Sequence, residues 1–75
     1  MEVKKMLDAK GLACPLPVVR TRKAIAELQS GEVLEVHATD KGSKSDITAW
    51  AKASGHELID VMEDGAIFKF FIKKG

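Results

Sequence analysis

The stretch that decides the fold is residues 7–17, Leu7-Asp8-Ala9-Lys10-Gly11-Leu12-Ala13-Cys14-Pro15-Leu16-Pro17, which holds the only cysteine and both prolines of the chain. A helix-period pattern of apolar residues begins directly after it. Proline is well tolerated at the first helical position, because its missing N–H would have no partner within the helix there. The sequence therefore predicts a helix with Cys14 as its N-cap and Pro15 as its first residue. A residue before proline avoids the helical region, so the alternative is a regular helix that starts only at Pro17.

The place of Cys14 before this helix has a chemical consequence. A helix N-terminus presents unpaired N–H groups and about half a positive charge, and both favour a thiolate over a thiol. We therefore expect Cys14 to be a nucleophile with a depressed pKa, and the Leu16 N–H to donate to its sulfur, because Pro17 has no N–H. The alternative is a small buried apolar residue, a frequent role of free cysteine. With no second cysteine in the chain, a dithiol oxidoreductase is excluded.

Length and composition bound the class of protein. Seventy-five residues make one domain, residues 1–75, and a chain this short buries about 60% of its unfolded surface on folding. A net charge of +1 argues against nucleic acid or an anionic membrane as a partner. No apolar run approaches the ~20 residues of a membrane span, and the N-terminus lacks signal-peptide features. Because a lone free thiol suits a reducing compartment, we expect a cytoplasmic protein.

Hydrophobic periodicity predicts strands at residues 3–8, 33–39, 57–63 and 67–73, and helices at residues 15–29 and 43–54. Asp64-Gly65 predicts a tight hairpin between the last two strands, and Ser43 three residues before Asp46 resembles a capping box. Strands joined by helices tend to be parallel, whereas a hairpin makes an antiparallel pair. The predicted fold class is α+β: a two-layer α/β sandwich in βαβαββ order, with a mixed four-stranded sheet and two helices on one face. The other face is left to Lys, Glu and Asp.

The same periodicity predicts the core. Lys4 and Lys5 blur the alternation of the first strand, so either Met6 or Leu7 faces inward. The remaining inward positions are Val18, Thr21, Ala24, Ile25 and Leu28 in the first helix, Ile47, Trp50, Ala51 and Ser54 in the second, and Leu34, Val36, Ala38, Phe68, Phe70 and Ile72 in the strands.

One polar position and one glycine are interpreted from turn chemistry. Asp8 is expected to brace the following loop through side-chain hydrogen bonds to the backbone, and Gly11 to supply a positive φ or a close backbone approach.

His37 and His56 have no histidine or cysteine at ligand spacing. We therefore predict no metal site and no cofactor, and expect His56 to assist a helix end.

The pattern Leu7-Asp8-x-x-Gly11-Leu12-x-Cys14-Pro15-x-Pro17 resembles the signature of the TusA/SirA-like sulfur-carrier family. The similarity runs from residue 7 to residue 74, through Thr21-Arg22-Lys23, Gly31-Glu32, Ala38-Thr39-Asp40, Asp46-Ile47 and Gly55-His56-Glu57-Leu58. The resemblance implies that Cys14 takes a persulfide sulfur from a donor protein such as a cysteine desulfurase or rhodanese and relays it to an acceptor protein. It implies a covalent carrier that does not turn over without partners, rather than a stand-alone enzyme.

The resemblance also orders the candidate site residues. Cys14 takes the catalytic place, and its supporting residues are Asp8, Gly11, Pro15, Leu16 and Pro17. Arg22 and Lys23 match basic positions of the family motif, while Leu16 and Arg20 share the exposed helix stripe with Lys23. We expect these four residues to contact a partner.

Several alternatives stay open. The pathway could be tRNA thiolation, sulfur oxidation, sulfur import, cofactor thiolation or selenium handling. A regulatory interaction module, in which Cys14 is incidental, and an RNA-binding domain on a similar fold are the other classes. RNA binding requires stacking aromatics on an exposed basic face, whereas Phe68 and Phe70 are predicted to be core.

Overall fold

The six elements form in the predicted order in a computed structural model, which describes residues 2–13 and 15–75. The strands are β1 (Val3–Ala9), β2 (Val33–Ala38), β3 (Glu57–Asp64) and β4 (Ile67–Lys73), and the helices are α1 (Leu16–Ala26) and α2 (Ser43–Ala53). The predicted α+β class with βαβαββ order is confirmed.

The sheet has the strand order β1-β2-β4-β3. β1 runs parallel to β2, whereas β4 is antiparallel to both β2 and β3. Asp64 pairs with Ile67, so the hairpin turn is the two-residue loop Gly65-Ala66, with Gly65 at φ +62°. The α1 crossover joins the adjacent parallel strands β1 and β2, and the α2 crossover joins β2 to β3, which are not neighbours in the sheet. The tight turn joins the antiparallel neighbours β3 and β4. These connections have the lengths that each kind of pairing requires.

The core lies between the sheet and the two helices. Ile25 of α1 and Ile47 of α2 belong to the same buried cluster as Leu34 of β2 and Phe70 of β4. Thr21 is fully buried, and its hydroxyl donates to the Pro17 carbonyl at 2.6 Å, which satisfies the only polar group that it brings into the core. Of the predicted inward positions, Val18, Trp50 and Phe68 are only half-buried at the margin, and Ser54 is exposed.

The first strand resolves the ambiguity that its lysines created. Leu7 pairs with Val36 and packs against the core, whereas Met6 is 57% exposed on the opposite face. The register shifts between Val3 and Lys5, so alternation counted from the start of the strand does not show which of Met6 and Leu7 faces the core.

The open face of the sheet differs from the prediction that it would carry Lys, Glu and Asp alone. Met6 and Met62 are exposed there, and Phe71 lies half-buried between Glu35 and Asp60 in the strand register. The bulge between Leu58 and Asp60 turns Val61 inward and therefore Met62 outward. The open face is thus a mixed surface rather than a purely charged one.

Both helices differ from their predicted ends. α1 ends at Ala26 because its last turn tightens, with the Glu27 and Leu28 N–H groups donating to carbonyls three residues back. α2 has Gly42 rather than Ser43 as its N-cap, and the buried Ser43 hydroxyl donates to the Asp40 carbonyl at 2.6 Å, so the predicted capping box is wrong.

Across the described part of the chain, no helix combines the length and apolarity needed to cross a membrane.

Candidate functional site

The candidate site lies at the end of the sheet where the carboxyl ends of the parallel strands β1 and β2 lie side by side. Ala9 and Ala38, both fully buried, form the last pair of the ladder. Residues 10–13 leave β1 there and residues 39–42 leave β2, so the two loops emerge side by side. Cys14 itself lies outside the described residues, whereas the residues on either side of it are described.

The loop that follows β1 is a compact turn. The Lys10 N–H donates to Asp8 Oδ1 at 3.0 Å, and the Leu12 N–H donates to the Ala9 carbonyl at 3.3 Å. Gly11 has φ +81°, a conformation that side-chain-bearing residues rarely adopt. Asp8 and Gly11 therefore have the turn geometry that the sequence predicted for them.

A side chain from the neighbouring loop forms a hydrogen bond with this turn. The Gly11 N–H donates to Thr39 Oγ1 at 2.9 Å, across 28 residues of sequence. Thr39 was not among the predicted site residues. Two signals pointed to it: the stretch Ala38-Thr39-Asp40 belongs to the family resemblance, and Thr39 ends a strand predicted to run parallel to the first.

The start of α1 differs by one residue from its predicted position. Pro15 is the N-cap, with φ −95° and ψ 12°, and Leu16 is the first helical residue, so the prediction of Cys14 as N-cap is wrong. The Leu16 N–H donates to the Ala13 carbonyl at 2.9 Å. This backbone turn engages the N–H group for which the sequence predicts a bond to the Cys14 sulfur.

The two prolines have different surroundings. Pro15 is exposed, whereas the Pro17 ring is fully buried and its carbonyl accepts from Thr21. Pro17 occupies the second helical position, where a missing N–H costs no intrahelical bond. Pro17 therefore anchors the first turn of α1 in the core.

The surface of α1 next to the site is basic around one apolar residue. Leu16 is 44% exposed, and Arg20, Arg22 and Lys23 are exposed along the same helix. Within the described ranges, none of the three cations forms an ion pair, and the first turn of α1 holds no acidic residue. The positive potential at this end of the helix is therefore not offset by carboxylates on α1's first turn.

The loop after β2 is held by its own hydrogen bonds. The Ser43 N–H and hydroxyl both donate to the Asp40 carbonyl, at 3.1 and 2.6 Å, and the Asp46 N–H donates to the Gly42 carbonyl at 3.1 Å. Asp40 Oδ2 is buried and has no hydrogen-bond partner within residues 2–13 and 15–75. These hydrogen bonds constrain the loop directly after Thr39.

The two histidines lie in different places: His37 is the cross-strand partner of Asp8 in β1, whereas His56 follows the end of α2. His37 Nε2 contacts Glu35 Oε2 on the open face of the sheet. The His56 N–H donates to the Ala51 carbonyl at the end of α2, its Nδ1 accepts from the Gly75 N–H at 3.1 Å, and its ring lies 5.3 Å from that of Trp50. No three His, Asp or Glu side chains of the described residues come together as a possible metal site.

An open groove of about 550 Å³ follows the outer face of α2. It begins beside the β2–α2 loop, and lysine side chains form its rim. Its lining residues are Lys41, Lys44, Ser45, Thr48, Ala49 and Lys52.

Comparison with known proteins gives a consistent result. The family described as sulfurtransferase TusA matches residues 5–74. The putative sulfur carrier protein YrkI of Bacillus subtilis is 61% identical over 75 residues, which is the whole of both chains. The sulfur carrier protein TusA of Allochromatium vinosum is 52% identical over 68 residues, covering 91% of this chain and 90% of that protein.

The fold has a counterpart among solved structures. The crystal structure of a SirA-like protein from Desulfitobacterium hafniense superposes with a TM-score of 0.83 at 30% sequence identity, covering 95% of this chain and 97% of that one. The family match extends over nearly the full length and includes the segment around Cys14. The chain therefore belongs to the TusA sulfurtransferase family.

Proposed function

We propose that this protein is a sulfur carrier in which Cys14 holds a persulfide and relays its outer sulfur from a donor protein to an acceptor protein. The observation that carries the proposal is the place of the only cysteine in the sequence of a TusA-family chain: it comes two residues before α1, in the connection between β1 and α1.

The chemistry requires only a thiolate and two partners. The Cys14 thiolate attacks the outer sulfur of a donor persulfide, a new S–S bond forms, and the donor S–S bond breaks to release the donor thiolate. The acceptor's nucleophile then attacks the outer sulfur on Cys14, which leaves Cys14 as a thiolate again. One sulfur atom moves in each step, and no external oxidant or reductant is consumed.

The described residues support this role by shaping the approach to Cys14. Asp8 and Gly11 form the turn before it, while Pro15, Leu16 and the buried Pro17 form the helix start after it. A helix N-terminus favours the thiolate, and a thiolate is the reactive species. The reaction needs a reducing compartment, for which we propose the cytoplasm, and a donor such as a cysteine desulfurase or rhodanese.

Mass spectrometry after exposure to a small-molecule persulfide tests the proposal. We expect the intact protein to gain one sulfur atom, fragmentation to place it on Cys14, and dithiothreitol to remove it. The same donor should load a TusA-family relative in parallel as the positive control. Failure of Cys14 to gain sulfur under conditions that load the relative would disprove the carrier proposal.

Partner docking is proposed on the surface formed by Leu16, Arg20, Arg22 and Lys23, hereafter the α1 patch. An apolar side chain flanked by cations that have no ion-pair partner among the described residues suits a partner groove with acidic rims. Rim charges mainly accelerate encounter and make it salt-dependent, whereas a buried apolar anchor mainly slows dissociation.

Charge reversal in the α1 patch should therefore slow the transfer. We expect Arg20→Glu with Lys23→Glu to lower the second-order rate constant of sulfur transfer from a physiological donor by about tenfold at low salt, and to flatten its salt dependence. Leu16→Ala should instead raise the dissociation rate. Stopped-flow transfer kinetics over a range of ionic strength measure both effects.

A matched control changes the net charge equally at the far end of the molecule. Lys4→Glu with Lys73→Glu lies at the opposite end of the sheet strands and should leave the transfer rate near that of the wild type. Equal slowing by both double variants would mean that net charge matters rather than this surface. Unchanged rates in both α1 variants would move docking to the loop at residues 39–43 and the lysine-rimmed groove beside it.

A further inference from the structure

One hydrogen bond connects the two loops of the site. Within the described ranges, the Gly11 N–H to Thr39 Oγ1 bond is the one hydrogen bond that ties residues 10–13 to a distant part of the sequence. The other bonds of that segment join near neighbours: two go to Asp8 Oδ1 and the Ala9 carbonyl, and the Ala13 carbonyl accepts from the Leu16 N–H at the start of α1. They shape the turn and its entry into α1 but do not connect it to the loop after β2.

We propose that Thr39 is a positioning residue for sulfur transfer, which holds the loop leading to Cys14 in place through the Gly11 N–H. This inference rests on the proposed function, because it concerns the same thiol. Thr39 acts through the backbone and does not touch the reacting sulfur.

The geometry favours Thr39 for this task because its own position is determined on both sides. It follows Ala38, the last ladder residue of β2, and precedes the loop that Ser43 holds through two hydrogen bonds to the Asp40 carbonyl. The Thr39 hydroxyl oxygen is therefore held in one position by the backbone on both sides. The Gly11 N–H donates to this oxygen, so the bond holds residues 10–13 in a defined position relative to β2.

The chemical benefit is orientation. Attack of a thiolate on a sulfane sulfur requires near-linear alignment of three sulfur atoms, and small misplacements of a reacting group carry large rate penalties. We expect a loop held in one conformation also to keep the thiol close to the N-terminus of α1, which carries the positive end of the helix dipole. Losing the tether should therefore reduce the reactivity of Cys14 without unfolding the protein.

The test compares three threonine variants and holds a fourth in reserve. Thr39→Val removes the acceptor and keeps the branched shape, whereas Thr39→Ser keeps the acceptor. Thr48→Val is the matched control, because the Thr48 hydroxyl donates to the Lys44 carbonyl of its own helix and bridges nothing. Thr39→Ala is a second acceptor-free variant, for use if the valine variant fails to fold by circular dichroism.

We expect Thr39→Val to slow sulfur uptake from a small-molecule persulfide about fivefold, the rate equivalent of one net hydrogen bond. The Gly11 amide should exchange with solvent about fivefold faster by NMR, and the midpoint of the pH profile for iodoacetamide alkylation should rise toward that of free cysteine. Thr39→Ser and Thr48→Val should stay within about twofold of the wild type in all three measurements.

Two results would overturn the inference: Thr39→Val behaving as Thr48→Val does, or Thr39→Ser being as impaired as Thr39→Val. Alkylation separates this inference from the carrier proposal, because iodoacetamide reports on the thiolate without any persulfide. Alkylation that depends on Thr39 in a protein that never takes up sulfur would refute the carrier proposal and support positioning. Normal sulfur uptake in every variant would refute positioning alone.

Discussion

Cys14→Ser is expected to abolish sulfur uptake and transfer while leaving the fold intact. Serine lacks a sulfur that could form an S–S bond, and Cys14 is the only cysteine, so no second thiol supplies background activity. We expect no sulfur adduct on the intact protein by mass spectrometry and no transfer to an acceptor in a radiolabelled-sulfur assay. The thermal unfolding midpoint should stay close to that of the wild type, because sulfur-to-oxygen exchange changes the side-chain volume little.

A relocated thiol is the control for this variant. Adding Ser30→Cys to Cys14→Ser restores the thiol content at an exposed turn, away from the loops of the candidate site. This double variant should alkylate as an ordinary cysteine and fail to relay sulfur to an acceptor. Full biological function of Cys14→Ser in cells would instead favour the regulatory interaction module, in which Cys14 is incidental.

Phe70→Ala is expected to have the largest effect on stability. Phe70 is fully buried at the centre of the sheet, where it pairs with Val36 on one side and Val61 on the other. Truncating a buried phenylalanine costs about 3–5 kcal/mol through lost burial and a residual cavity. A 75-residue domain has roughly 4–11 kcal/mol of unfolding free energy in all, at about 0.05–0.15 kcal/mol per residue. The variant should therefore be marginally folded at 25 °C.

The neighbouring residue provides the control. Phe71 points to the open face of the sheet and is only half-buried, so Phe71→Ala should cost about 1 kcal/mol. Urea unfolding followed by circular dichroism gives both values, and the slope of the transition should be similar for the two variants. Equal losses at positions 70 and 71 would contradict the assignment of a single packed face.

The order of elements and the inward faces of the sheet were predictable because they depend on residues close in sequence. The alternation through β2 places Leu34 and Val36 inward, and the Asp64-Gly65 signal lies at the observed hairpin. The Asp8 and Gly11 turn was equally predictable, since an aspartate that accepts from a backbone N–H and a glycine at positive φ act within a few residues. In each case the side chain and the backbone that it shapes are neighbours along the chain.

The start of α1 was predicted one residue early for a reason that local rules did not resolve. Proline is favoured at the first helical position, but the Leu16 N–H found the Ala13 carbonyl, and Pro15 became the N-cap. Burial of the Pro17 ring likewise depends on how α1 packs on the sheet. The exposure of Met6 depends on the register of β1 against β2.

The sequence by itself determined the class of fold, the family and the position of the single thiol, Cys14. Only the tertiary structure decided which residue meets the loop that leads to that thiol. Gly11 and Thr39 are 28 residues apart, and their contact exists because β1 and β2 run parallel and end together at Ala9 and Ala38. A hydrogen bond between distant residues depends on strand register, and register is set by the packing of the whole sheet rather than by the residues that make the bond.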